Sequence, residues 1–133
     1  MAYNRLIGNV GEDIACQWLK KRNFLIIERN YNKKWGEIDI VATKDRILQF
    51  VEVKSVTIKG VQDGIQKEQD GKGHRPEENV HETKVRRLKR VIQTYLLEKK
   101  YGLDAEFKFH VLLVYMNQDT RRAKVVLMEN IIL

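Results

Sequence analysis

Glu37-Ile38-Asp39-Ile40-Val41 and, further on, Phe50-Val51-Glu52-Val53-Lys54 place three charged side chains inside what otherwise reads as an apolar β-hairpin. Residues two apart in a strand share a face. Ile38, Ile40, Val51 and Val53 are therefore expected on one apolar face, and Asp39, Glu52 and Lys54 on the other. A tight turn at Asp45-Arg46 gives antiparallel partners whose numbers sum to 91, which sets Asp39 opposite Glu52 and Glu37 opposite Lys54. Asp-Arg is not the Asn-Gly or Asp-Gly pair such a turn prefers. A slip of two residues keeps the shared face and a slip of one removes it. Carboxylates directly opposite each other stand roughly 5 Å apart at Cβ and repel unless a positive charge lies between them. Two readings follow: a site for a divalent cation, or the salt-bridged polar face of a half-exposed sheet with Lys54 as the counter-charge.

Outward from the hairpin, residues 4–22 carry Ile7, Val10, Ile14, Trp18 and Leu19 near helical spacing, ending near Asn23. Residues 24–31 read as a first strand, 37–43 as a second and 47–56 as a third. Residues 57–80 are polar, contain four glycines and the one proline, and read as a long loop that closes over the acidic residues, grips a substrate or is disordered. Val85, Leu88, Ile92, Tyr95 and Leu96 mark a helix over 83–100, with Arg86, Arg90 and Gln93 on its opposite face. Two β-rich stretches, 106–115 and 123–132, flank a turn at Asn117-Gln118-Asp119-Thr120. This order predicts one α/β domain over residues 1–133, with a central mixed five-stranded sheet flanked by helices, order α-β-β-β-α-β-β. Strands one to three would be antiparallel, and strands three and four parallel across a crossover helix. The acidic residues would lie at an edge or fork of the sheet.

The 133 residues suffice for one core without staples, and 43% apolar with 32% charged content is globular in character. No apolar run approaches the roughly 20 residues of a membrane span. The first residues lack a secretory signal, and Cys16 is the single cysteine, so a cytoplasmic location is expected. His74, His81 and His110 have no metal-ligand spacing. The net charge of +7 is concentrated in residues 83–100, where Lys84, Arg86, Arg87, Lys89, Arg90, Lys99 and Lys100 face one acid, Glu98. Such a stripe suits a polyphosphate partner, most commonly nucleic acid, or a solvated helix face.

Gly11-Glu12, Gly36-Glu37-Ile38-Asp39-Ile40 and Phe50-Val51-Glu52-Val53-Lys54 resemble the signature blocks of the YraN-like proteins, a branch of the PD-(D/E)xK nuclease superfamily similar to archaeal Holliday junction resolvases. The resemblance spans most of the chain and is weakest in the long loop. It implies a restriction-endonuclease-like core in which Asp39, Glu52 and Lys54 match the motif's catalytic residues and Glu12 an auxiliary helix glutamate. Ile38 stands in place of the superfamily's proline, as is usual in this branch. His110 stands where the family's Phe-Asp-Val strand has an aspartate.

Phosphodiester hydrolysis needs positive charge beside the phosphate oxygens and a water made nucleophilic at neutral pH, both of which magnesium supplies. Asp39 and Glu52, with the Val53 carbonyl, suit Mg²⁺, with Mn²⁺ as a substitute. Lys54 would orient water or stabilise the pentavalent phosphate, and the flanking carboxylates favour its charged form. Glu12 reads equally as a capping-box residue or an ion-pair partner. Lys84 lies about 40° from Leu88 on the helical wheel and reads as a phosphate contact or a snorkelling lysine. Arg86, Arg87 and Arg90 would hold backbone phosphates. Trp35 reads as a packing residue or a base-stacking one. The expected function is a metal-dependent nuclease on DNA, branched or damaged structures included, endonuclease before exonuclease. The alternative is a non-catalytic nucleic-acid-binding module with a retained acidic cluster. A homodimer is expected if two strands are cut symmetrically, with Ile131-Ile132-Leu133 at its interface or simply finishing the core.

Overall fold

The second and third strands, β2 (Gly36–Lys44) and β3 (Ile47–Ile58), pair antiparallel from Ile40↔Val51 to Lys44↔Ile47, each pair summing to 91. Asp45 (φ 55°) and Arg46 (φ 68°) both adopt left-handed backbone, the geometry a type I′ turn requires, without a glycine. The computed structural model describes residues 2–59 and 82–133. Around the hairpin stand helix α1 (Ala2–Lys21), strand β1 (Leu25–Lys33), helix α2 (Glu82–Glu98) and strands β4 (Phe107–Asn117) and β5 (Arg122–Met128). The sheet has spatial order β1-β2-β3-β4-β5, antiparallel except for the parallel pair β3–β4. This is the mixed five-stranded α/β architecture expected. Thr57 and Ile58 belong to β3 rather than to the long loop, and from residue 60 through residue 81 that segment, with His74 and His81, lies outside the described residues.

Each face of the sheet buries its own cluster beneath one helix. Ala15, Cys16 and Leu19 of α1 pack on Ile40, Ala42, Val51, Leu112 and Val114, while Leu88, Val91, Ile92, Tyr95 and Leu96 of α2 pack on Val41, Leu48, Phe50, Phe109 and Val111. Val91 joins the helical stripe seen in the sequence. Both helices end in Schellman geometry, with Asn23 (φ 70°) and Lys100 (φ 65°) in the left-handed position. At the first, Phe24 N–H donates to Leu19 O; at the second, Tyr101 N–H donates to Leu96 O.

The last strand is shorter than expected. It stops at Met128 because Asn130 turns left-handed (φ 53°) and gives its N–H to His110 Nδ1. Ile131 and Leu133 fold back onto the α2 cluster, whereas Ile132 is 94% exposed. Among the described residues no helix is long and apolar enough to cross a membrane.

Candidate functional site

The β2–β3 ladder stops at Ile40↔Val51, one pair short of the two carboxylates. On either side pairing continues, β1–β2 to Lys33↔Gly36 and β3–β4 to Ile58↔Asn117. The start of β2 and the end of β3 therefore part, and the sheet forks. The expected pairs Asp39–Glu52 and Glu37–Lys54 are not formed; instead the Val53 N–H donates to Asp39 Oδ2 at 2.8 Å. A strand residue directs its N–H and C=O the same way, so the Val53 carbonyl also faces the fork.

The single apolar face expected of Ile38, Ile40, Val51 and Val53 is also broken. Ile40, Val51 and Val53 pack beneath α1, but Ile38 packs with Tyr31 beneath α2. The alternation breaks at Asp39, which with the left-handed Asn30 (φ 54°) makes no ladder pair although the register is the same on both sides, Arg29↔Ile40 and Tyr31↔Ile38; the register shift of this strand pair lies between Ile26 and Glu28. In β3 the alternation holds, and Glu52 and Lys54 share the α2 side with Leu48 and Phe50.

Close packing at a glycine brings α1 to the fork. A Cβ on Gly11 would lie 1.9 Å from Ser55 Oγ and 3.2 Å from Ser55 Cβ, so at this level α1 approaches β3 closely enough that a larger residue would have to displace the Ser55 side chain. At Gly36 a Cβ would stand 3.4 Å from Arg87 O, an ordinary contact distance. The resulting cleft of about 470 Å³ is lined by Glu12, Glu37, Asp39, Glu52, Val53, Ser55, Lys84, Arg87 and Leu88, together with Gly36.

Its electrostatics are those of crowded acids held in check by two lysines. Burial first, with the charges of Glu12, Glu52 and Glu37 added, lifts the Asp39 carboxyl to about 7 against the opposing Val53 hydrogen bond. Glu52 Oε2 meets Lys84 Nζ at 3.0 Å and Lys54 Nζ at 3.2 Å. Contrary to expectation, the Lys54 ammonium is disfavoured: burial and the neighbouring Lys84 outweigh Glu52 and push its pKa down. Lys84 goes the other way. Burial opposes its charge, but the contact with Glu52 and the nearby Asp39 carboxylate prevail and raise its pKa.

The basic residues of α2 separate. Lys84 and Arg87 line the cleft; Arg90 stacks its guanidinium 4.3 Å above the Trp35 ring; Arg86 points outward and pairs with Glu82 at 3.4 Å. Trp35 is half-buried against the α2 cluster, and its Nε1 is buried without a hydrogen-bond partner among the described residues. His110 lies away from the cleft. Its Nδ1 accepts from Asn130, so its Nε2–H donates to Gln49 Oε1, and burial favours this neutral ring.

Arg29 is the participant that sequence reasoning missed. It contacts Asp13 at 2.9 Å and Glu12 at 3.4 Å, tying the start of the α1 acidic pair to β1. Its register opposite Ile40, on the face beneath α1, is the signal that could have found it.

Among the described residues no three His, Cys, Asp or Glu side chains already converge into a cation cage. Magnesium, however, commonly takes only one or two protein carboxylates, the remaining ligands being water and phosphate. Asp39, Glu52 and the Val53 carbonyl are such hard oxygen donors, and the crowding that lifts Asp39 is what an added cation would relieve.

The model of the uncharacterised protein family UPF0102 matches residues 11–114. A UPF0102 protein of Dictyoglomus thermophilum is 40% identical over 97 residues, covering 73% of this chain and 72% of its own. A Campylobacter jejuni UPF0102 protein is 34% identical over 109 residues, 82% of this chain and 83% of its own. One from Campylobacter lari is 62% identical over 50 residues, and there the match spans only 45% of the relative's length and 38% of this chain. The matched span takes in Glu12, Asp39, Glu52, Lys54 and Lys84, and the chain belongs to the UPF0102 family.

Proposed function

We propose that this protein is a metal-dependent nuclease that hydrolyses phosphodiester bonds of DNA at the fork, with a restriction-endonuclease-like core of the PD-(D/E)xK type. The observation that carries the reading is the convergence in one cleft of Asp39, Glu52 and Glu12 with Lys84 and Arg87, while Lys54 sits on Glu52. Carboxylates suit a cation, cations suit a phosphate, and a sheet forked where they meet leaves room for a strand of nucleic acid.

Asp39 and Glu52, with the Val53 carbonyl, would hold Mg²⁺ or Mn²⁺, which supplies positive charge beside the phosphoryl oxygens and makes water nucleophilic at neutral pH. Lys84 and Arg87 would hold the phosphodiester from the α2 side, with Arg86 and Arg90 on flanking phosphates. Lys54, reaching from the same face of β3 as Glu52, donates to the negative charge that builds on the phosphate oxygens as the P–O bond breaks. Its depressed pKa also suits it to orient the attacking water through hydrogen bonds. Glu12, held by Arg29, adds a carboxylate at the α1 wall. Symmetric cutting of two strands would call for a two-fold homodimer.

The engagement of Glu52 by two ammonium groups favours a second reading, a nucleic-acid-binding module whose acidic cluster is internally neutralised. One experiment separates the two. Labelled single strand, duplex, flap, four-way junction and RNA are incubated with magnesium or manganese and either wild type or Glu52→Ala. Metal-dependent cleavage lost in the variant supports the nuclease, and tight binding without cleavage by either protein supports the binding module.

A further inference from the structure

We propose that Lys84 is an internal counter-ion which a nucleic-acid phosphate draws off Glu52, so that nucleic acid and divalent cation bind this cleft with positive coupling; the inference rests on the cation reading of the fork. Both lysines converge on one oxygen, Glu52 Oε2, but their attachments differ. Lys54 is a residue of β3 itself, two along from Glu52 on the same side of a strand fixed by its parallel pairing with β4. Lys84 reaches in from the first turn of α2 on a flexible four-carbon stem, and its side chain is 40% exposed. It can swing to solvent without disturbing the sheet. Arg87, one turn further along α2, lines the same cleft, so a phosphate seated there would meet a second positive charge.

The competition follows from charge. With Lys84 in place, the Glu52 carboxylate is neutralised twice over, and a cation approaching Oε2 meets two ammonium groups. A phosphate on the α2 side offers Lys84 another anion and leaves Glu52 with Lys54 alone. Each partner then lowers the other's cost of binding, and by linkage the factor is the same in both directions. Lys84 acts on the cation through Glu52, as a positioning residue of the site.

The test is Mn²⁺ titrated calorimetrically into full-length wild type, Lys84→Met, Lys84→Arg and Glu52→Gln, alone and with a hydrolysis-resistant phosphorothioate DNA duplex. Without DNA, Lys84→Met is expected to bind Mn²⁺ about tenfold more tightly than wild type, while Lys84→Arg stays within about twofold. The duplex is expected to tighten Mn²⁺ binding about tenfold in wild type and less than about twofold in Lys84→Met. Equal Mn²⁺ affinity in wild type and Lys84→Met, abolished by Glu52→Gln, overturns the role of Lys84 and leaves the cation reading standing. Absence of Mn²⁺ binding in every protein overturns the cation reading and the coupling with it.

Discussion

At its turn end the β2–β3 hairpin zips five register pairs, and Val41, Ala42, Phe50 and Val51 are sealed from solvent between the two helices. At its other end the same two strands part, and their side chains become Asp39 and Glu52 in a cleft that both helices help to line, with Lys54 in contact with Glu52. The closed end gains from removing apolar surface from water. The open end crowds like charges and leaves Asp39 with a carboxyl that resists ionising. Apolar burial and crowded charge are thus separated along one hairpin, about one residue pair apart.

Four substitutions can break or sharpen that contrast. Phe50→Ala, in the closed end and edge-on to Tyr95 and Phe107, should lower unfolding free energy by about 3–5 kcal/mol in denaturant titrations. A loss under 1 kcal/mol would show that the closed end does not carry the fold. At the boundary, Gly11→Ala should cost about 1–3 kcal/mol by pushing α1 off Ser55, and Gly11→Ala with Ser55→Ala should recover most of it, since the Oγ is the nearest atom met.

In the open end the sign reverses. The Asp39 carboxyl is raised from 3.8 to about 7 in the folded chain, so its contribution is unharmed below about pH 4 and is lost as pH rises through 7. Asp39→Asn in chelator should therefore raise the unfolding free energy at pH 8 by on the order of 1 kcal/mol, after allowance for solvent screening, and leave it unchanged at pH 4. A lower melting temperature at pH 8 would contradict the crowding. The smallest effect is expected at Arg86, outside the cleft and in an exposed pair with Glu82. Arg86→Ala should change stability by less than about 0.5 kcal/mol and flatten the salt dependence of DNA binding by about one phosphate contact.

Much of this architecture is legible in the sequence because it is periodic. The sum-of-91 register holds wherever the hairpin pairs, even though Asp45 and Arg46 must both turn left-handed without glycine. The helical wheel places Lys84 toward the cleft, where it lies. Period-two reasoning failed where the ladder ends: it assumes that alternation continues, and the left-handed Asn30 and unpaired Asp39 interrupt it. Arg29 was invisible because its partners on α1 are 16 and 17 residues away, a separation no local rule relates. The depressed Lys54 follows from burial beside a second ammonium, which appears only once α2 is docked. Gly11 was legible as a residue of a motif, but the close approach of α1 to Ser55 required the packed structure.

The central claim, that the open end of the hairpin exists for phosphodiester hydrolysis, is tested most directly by the single-turnover cleavage rate of a labelled DNA substrate in Mg²⁺ or Mn²⁺, wild type against Glu52→Gln. The account predicts cleavage by wild type that chelator abolishes, and a rate at least about 100-fold lower in Glu52→Gln at an undiminished melting temperature. Equal rates in the two proteins, or no cleavage of any substrate by folded wild type, would contradict it.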